Sequence, residues 1–367
     1  MKLRYKILLG FFGVVAAGIF ALGVAISYTA DCPPAPGVEP GTVTMQAVRA
    51  RCYGPPEVLT LEDVPRPVPA AEQMLVRVKA AAVNPLDYHY MRGSPYLMRL
   101  MAGIGRPDSV AVGVDFAGIV DAVGDDVDAY AVGDAVFGWS PGAFAEYIVL
   151  SETAPVAKKP DTVSFEEAAS IGVAATTALQ ALRDHGKTSP GDNVLINGAS
   201  GGVGSFAVQI AKSMGATVTG VCSTPNVPLV SALGADAVID YRQEDYTERP
   251  ERYDVVIDMV GNHSPATNHG VLEEGGRYVL VGGPKGDWVA PLKRPLQAAW
   301  TSLFVDETLV TMLARMTADD VKTLGGMLAD QRIVPAIDRR YSLADAAEAI
   351  RYSESGRARG KIILLID

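Results

Sequence analysis

The run Asn197-Gly-Ala-Ser-Gly-Gly-Val-Gly204 constrains this 367-residue chain more than any other stretch. It joins the apolar segment NVLIN to VGSFAVQIAKSM, in which Val203, Phe206, Ala207, Ile210, Ala211 and Met214 recur at helical spacing. Within it, Ala199-x-Gly201-x-x-Gly204 is the dinucleotide fingerprint with Ala in the first glycine position. Small residues let the backbone turn tightly and approach a pyrophosphate, and the helix that follows offers the anion its N-terminal amides and dipole. A glycine pattern alone is weak. The strand before it and the amphipathic helix after it supply the context that makes it a dinucleotide site.

The surrounding pattern agrees with that placement. From about Ser164, FEEAASIGVAATTALQAL reads as helical. Strand-like runs (TVTGVC, AVID, DVVIDMV, RYVLVGG) then alternate with helical stretches, including one at 228–233. Strand, helix, parallel strand is the signature of a doubly wound Rossmann sheet, expected over residues 166–300. Residues 45–165 differ. MQAVRARCY, VLTLEDV, QMLVRVKAAAV, GVDFAGIVDAVG, DAVFG and AFAEYIVL are short, strand-like and broken by Gly and Pro, as in a β-barrel-type domain. Residues 301–367 contain helical stretches, the helix SLADAAEAIRYS and the terminal strand KIILLID, which need not join the parallel sheet. The fold class is therefore α/β, with two domains, which the length also suggests.

Three of the 32 Lys and Arg (Lys2, Arg4 and Lys6) precede every acid, leaving 29 bases against 42 acids from residue 31 on. That balance argues against nucleic-acid binding, which needs a basic surface to neutralise phosphates. Residues 7–26, ILLGFFGVVAAGIFALGVAI, hold no charge and as a helix would cover about 30 Å, a bilayer's hydrocarbon core. Residues 1–30 are expected to be a single-pass membrane anchor. A cleavable signal peptide ending at Ala25-Ile26-Ser27 is the competing reading. The leading positive charges place the folded part outside the cytoplasm. That conflicts with use of a cytoplasmic nucleotide, so the side of the membrane stays open. Residues 31–44, with four Pro and two Gly, read as an extended linker. The three cysteines, 32, 52 and 222, cannot form a four-thiolate zinc site and show no disulfide framework; Cys32 reads as a free thiol or incidental.

The choice of dinucleotide is made at the end of the next strand, where NAD sites carry an acid for the ribose 2′-hydroxyl. Here Val221-Cys-Ser-Thr-Pro-Asn226 has none, and Ser223, Thr224 and Asn226 can donate hydrogen bonds. NADP is favoured, although no Arg or Lys stands in the segment.

Taken in order, Asn84-Pro-Leu-Asp87, Gly113-Val-Asp-Phe-Ala-Gly118, Gly133-Asp-Ala-Val-Phe-Gly138 and Gly142-Ala-Phe-Ala-Glu-Tyr147 form one pattern. Ala174-Ala-Thr-Thr-Ala-Leu179, the glycine loop, Leu233-Gly-Ala-Asp-Ala-Val-Ile-Asp-Tyr241 and Arg359-Gly-Lys-Ile-Ile continue it. Over residues 45–367 the chain resembles the zinc-independent, quinone oxidoreductase-like members of the medium-chain dehydrogenase/reductase family. The resemblance implies a GroES-like substrate domain completed by the C-terminal helix and strand, an inserted Rossmann domain, a cleft between them and a homodimer. It implies that Ser200, Gly201, Gly202 and Val203 hold the pyrophosphate. Ser223, Asn226 and Tyr241 would surround the adenosine phosphate, and Thr177 would face the nicotinamide. Pro225 stands where many relatives have Arg or Lys. Thr177 reads equally well as a helix residue bonded back to its own turn.

Zinc-dependent relatives carry a Cys near Asn84 and a His-Glu pair near Asp115-Phe116. Neither is present, and no metal is expected. Without a Lewis acid the easier reaction is hydride transfer from NADPH to a quinone or an α,β-unsaturated carbonyl. Asn84 is a candidate donor to a carbonyl oxygen, and Asp87 a candidate orienting group. Tyr53, Tyr88 and Tyr90 can stack on a flat substrate or donate a phenolic proton. Each has an ordinary structural alternative: Asn84-Pro85 as a strand end, Asp87 as a helix cap, the tyrosines as packing. A membrane-attached dinucleotide-binding scaffold with little turnover is the alternative function.

Overall fold

The computed structural model describes residues 2–284, 286–288 and 290–367, with side chains from residue 14. Helix α1 (Lys2–Ser27) leads through the Pro-rich segment into β1 (Thr44–Ala50), β2 (Leu59–Pro65) and β3 (Gln73–Val83). Helices α2 (Pro85–Arg92) and α3 (Arg99–Ala102) follow, then β4 (Asp115–Val123), β5 (Ala135–Trp139), β6 (Tyr147–Ser151) and β7 (Val156–Lys158). Helices α4 (Phe165–Ala169) and α5 (Gly172–Gln180) cross into the second domain. There β8 (Asn193–Asn197), α6 (Gly202–Ser213), β9 (Thr217–Cys222), α7 (Val227–Ala232) and β10 (Ala237–Asp240) build one half. The other half is β11 (Tyr253–Asp258), α8 (Pro265–His269), β12 (Leu272–Leu280), α9 (Ala290–Thr301) and β13 (Thr308–Thr311). The chain closes with α10 (Ala318–Ala329), β14 (Ile337–Ser342), α11 (Ala346–Glu354) and β15 (Lys361–Leu365).

The second domain is a parallel sheet in the order β10-β9-β8-β11-β12-β13. Its order reverses between β8 and β11, and in such sheets ligands bind in the crevice outside the carboxyl ends at that point. The first domain holds a seven-stranded sheet, β14-β15-β3-β4-β5-β7 with β6 on β3, beside the antiparallel β1–β2 pair. The terminal strand leaves the parallel sheet and pairs antiparallel with β3. β13 carries the parallel sheet past residue 300, and β14 lies parallel to β15; neither was visible as a strand in the sequence. One core spans both domains. Ala80, Ala82 and Ala117 on the first sheet share it with Ala175 and Leu179 of α5, Phe206 and Ile210 of α6, and Ile363 of β15.

Two expectations about the front end are corrected. Among the described residues no helix is long and apolar enough to cross a membrane, so the single-pass anchor does not stand. Residues 7–13 of the expected span lie outside the described side chains. Cys32 is not a free thiol: it is disulfide-bonded to Cys52, with Cα atoms 4.8 Å apart. The linker had no secondary structure from which its return to the end of β1 could be read.

Candidate active site

The glycine loop sits where the sheet order reverses. Gly198 adopts φ +90°, and Gly201 caps α6. A Cβ on Gly204 would overlap the Gly198 carbonyl oxygen, so the third glycine allows α6 to pack on the loop that leaves β8. The residue in the first glycine position, Ala199, is fully buried beneath Gly220 of β9 and needs no positive φ, which explains why alanine serves there. Beyond the loop, Asn197 Nδ2 donates to Asp258 Oδ1 and to Asn262 Oδ1, each at 2.8 Å. Asp258 also accepts from the Tyr278 hydroxyl and from the amides of Val260 and Gly261. This polar lock ties the ends of β8 and β11 together. Its only trace in the sequence is a polar residue closing two apolar strands.

At the carboxyl end of β9, Ser200, Ser223 and Asn226 come together. Asn226 Nδ2 lies 2.9 Å from Ser200 Oγ and 3.3 Å from Ser223 Oγ. Asn226 Oδ1 is buried without a hydrogen-bond partner, so an acceptor is in place for a donor such as a ribose hydroxyl. Tyr241 stands exposed at the next strand end, its amide bonded to Cys222 O. One basic residue was missed as part of this neighbourhood. The Gly360 amide donates to Ser200 O at 2.9 Å, so the backbone next to Arg359 of the C-terminal segment meets the glycine loop. Arg359 also lines a cavity of about 680 Å³ with Asp338, Arg339, Glu348, Arg351 and Arg357. Nothing between β14 and β15 in sequence hints at that approach. Thr177 is buried, and its hydroxyl donates to Val173 O at 2.6 Å, the back-bonded arrangement.

Asn84 and Asp87 also come together, but in a buried network. The Asn84 amide donates through Nδ2 to Asp115 Oδ2 (2.9 Å) and Ala82 O (3.2 Å), and its Oδ1 accepts from Lys361 Nζ (2.6 Å). Asp87 accepts from the Asn84 backbone amide at 2.7 Å and thereby starts α2. Asp115 Oδ1 accepts from the Val173 amide in the first turn of α5, where the helix dipole favours a carboxylate. Gly172 permits this, because a Cβ there would overlap Asp115 Oδ1. Lys361 Nζ lies 3.6 Å from Asp115 Oδ2, and both side chains are almost fully buried. Burial pushes the Asp115 carboxyl up and the Lys361 ammonium down, each opposed by the other's charge. Burial also pushes the Asp87 carboxyl up to about 8. Asp115 and Lys361 had stood in quoted motifs without a role; a charge heading a strand of otherwise buried residues was the available signal.

The tyrosines diverge. Tyr53 is buried, and its hydroxyl donates to Gly103 O at 2.9 Å. Tyr88 packs against the substrate-domain core beside His89, whose Nδ1 lies 2.8 Å from Ser94 O. Tyr90 is half exposed on α2.

Comparison with known proteins places this geometry. The alcohol dehydrogenase GroES-like domain profile matches residues 70–161, and the profile described as zinc-binding dehydrogenase matches residues 233–364. Human quinone oxidoreductase is 32% identical, over 89% of this chain and 99% of its own. The chain belongs to the medium-chain dehydrogenase/reductase family, among its quinone oxidoreductase-like members. This dehydrogenase/reductase is thus an oxidoreductase with a nicotinamide dinucleotide-binding domain. The 2-methylene-furan-3-one reductase of Solanum lycopersicum is also 32% identical, over 85% of this chain and 76% of its own. The quinone oxidoreductase structure from Coxiella burnetii superposes with a TM-score of 0.78 at 31% identity, over 89% of this chain and 100% of that one. One profile name implies zinc, and the residues here do not fit it. Among the described residues no three His, Cys, Asp or Glu converge, and the Lys361 ammonium reaches Asn84 where a cation would have to compete with it.

Proposed function

We propose that this chain is an NADPH-dependent reductase of quinones and α,β-unsaturated carbonyls. One observation carries the reading: a glycine loop at the switch point joins a Ser200–Ser223–Asn226 cluster that contains no carboxylate and accepts the Gly360 amide at Ser200 O. Asp240, opposite Cys222 on the neighbouring strand, is engaged by the Thr224 side chain, the Arg242 amide and Gln243. A 2′-phosphate thus meets hydroxyls and an amide, and we assign Arg359, one residue from Gly360, as its cation. The acceptor class is supported by the names of the relatives, quinone oxidoreductase and an enone-type reductase.

When bound, the dihydronicotinamide supplies a hydride. The chain's own residues bind and orient. Ser200, Gly201, Gly202 and Val203 receive the pyrophosphate at the start of α6. The Asn84–Asp87–Asp115–Lys361 network fixes the starts of α2 and α5 against each other. We assign Tyr90, the half-exposed phenol on α2, as donor to the acceptor oxygen that gains charge. Tyr53, held by Gly103, forms part of the wall. The homodimer is part of this proposal, with β13, which ends the parallel sheet, as the edge for a second copy.

The test uses the full chain. Nucleotide binding is titrated by fluorescence with NADPH and NADH, and oxidation is then followed with phenanthrenequinone and a short enone. NADPH binding tighter by about tenfold or more, weakened selectively in Arg359→Ala, is expected, since one charge-assisted phosphate contact contributes about 1.5–3 kcal/mol. Equal affinity for the two nucleotides would sink the NADPH assignment. Absence of turnover with both acceptors would sink the reductase assignment.

A further inference from the structure

Ahead of β1 the chain carries a segment that neither family profile matches, and it is fastened to the substrate domain at three points. The Arg99 guanidinium, 3% exposed, donates through Nη1 to the carbonyls of Ile26 (3.2 Å), Ser27 (3.3 Å) and Tyr28 (2.8 Å) and to Thr29 Oγ1 (3.1 Å). A cation therefore caps the C-terminal end of α1, where the helix dipole favours it. The same guanidinium lies over the rings of Tyr53 (4.4 Å) and Tyr96 (4.6 Å) and is braced by the carbonyls of Arg92 and Gly93. One residue further on, the Ala30 amide donates to Gly105 O at 2.8 Å. Cys32 then closes the disulfide to Cys52, the neighbour of Tyr53.

The far side of this assembly touches the other domain. The Tyr96 amide donates to Asp287 O (2.7 Å), Ser94 Oγ donates to Asp287 Oδ1 (2.6 Å), and the Tyr96 ring meets Trp288 edge-on at 4.9 Å. Asp287 and Trp288 belong to the segment that leaves the carboxyl end of β12, the side of the parallel sheet on which the ligand crevice opens. The last turn of α1 completes the bridge: a Cβ on Gly23 would lie 3.7 Å from the Trp288 indole. Residues 23–32 thus lie across the junction of the two domains, clamped to one and in contact with the other.

We propose that residues 23–32 form a strap that limits opening of the crevice, and that the Cys32–Cys52 disulfide is its releasable latch. The latched enzyme admits compact acceptors, and the unlatched enzyme also admits bulky ones. This rests on the reductase reading above. The chemistry of release is thiol–disulfide exchange. A dithiol attacks the exposed Cys32 sulfur, the S–S bond takes up two electrons, the two cysteines keep one proton each, and the dithiol leaves as its own disulfide. Cys222, the remaining cysteine, is buried and starts as a thiol, so a dithiol has one target in the chain. The other fastenings of the strap are hydrogen bonds, each contributing about 1 kcal/mol and exchangeable with water, whereas the disulfide must be cleaved for the strap to leave.

The experiment has two arms. Hydrogen exchange on the native full chain, before and after dithiothreitol, should show loss of protection at Ala30 on reduction. Thiols attack quinones, so the kinetic arm compares the native enzyme with Cys32→Ser without reductant. As a second route, native enzyme is reduced, alkylated with iodoacetamide and desalted. In both cases kcat/KM for phenanthrenequinone relative to para-benzoquinone should rise about fivefold or more, the factor that corresponds to about 1 kcal/mol of lost closure. An unchanged ratio, or unchanged exchange at Ala30, overturns the latch. No turnover of either quinone or of the short enone by the native enzyme overturns the reductase reading and the acceptor half of this proposal with it, while the exchange arm still decides whether the strap is held by the disulfide.

Discussion

At Gly204 a methyl group has nowhere to go, because its place is taken by the Gly198 carbonyl oxygen. Gly204→Ala is therefore expected to cost about 1–3 kcal/mol of stability and to weaken nucleotide binding, since the loop must shift to make room. Chemical denaturation and a fluorescence titration check the two effects separately. Asp87 sets a different kind of expectation. Its carboxyl, raised to about 8 in the fold, keeps its proton over a range in which the unfolded chain has lost its own. Its contribution to stability is thus fully present below about pH 4 and declines as pH rises toward 8, by about 1.4 kcal/mol per pH unit at most. Asp87→Asn, which retains an oxygen acceptor for the Asn84 amide, should flatten that decline. Parallel pH dependences of unfolding for the two proteins would refute it. Lys361→Met leaves the Asp115 carboxyl buried without its cation and should cost about 3–5 kcal/mol, read as a fall in denaturation midpoint. Neither of the two charged environments could be read from residue type. Asn84 and Asp87 were visible as a turn and a cap, but the partner that engages the Asn84 amide is 277 positions away.

Helix α4 shows an element whose local sequence was sufficient. Ser164 Oγ accepts from the Glu167 amide, and Glu167 Oε2 accepts from the Ser164 amide at 2.8 Å, a reciprocal cap written in four consecutive residues. Ser164→Ala should cost about 1 kcal/mol and leave turnover unchanged, a pairing that thermal denaturation and a standard assay can separate. Helix α6 and strand β8 were equally plain, because strict periodicity met a glycine loop. Strands β13 and β14 were not. TLVT is too short to show alternation, and IDRRYS carries charges on a strand with little burial, so neither has the apolar pattern by which strands are recognised. Helix α1 failed in the opposite direction. Its apolar run suggested a membrane, whereas its last turn is fastened by Arg99, an interaction no local pattern encodes.

Across the whole molecule the C-terminal return holds the two domains to one geometry. β15 joins the substrate-domain sheet, its first residue supplies Lys361, and the preceding Gly360 touches the glycine loop of the other domain. Removal of residues 361–367 should abolish cooperative unfolding and nucleotide binding together. A truncated chain that still binds NADPH would show that the Rossmann domain stands without this closure. The sequence alone was enough for the family, the Rossmann periodicity and the glycine loop, because each is written in adjacent residues and acts through the backbone they build. Tertiary structure alone decided the rest: the Asn84–Asp115–Lys361 network, the approach of Gly360 to Ser200, and the Cys32–Cys52 strap across the domain junction. Each joins residues distant in sequence. Such contacts depend on where whole elements pack, and a desolvated charge or a thiol acquires its chemistry only from the neighbours that packing brings.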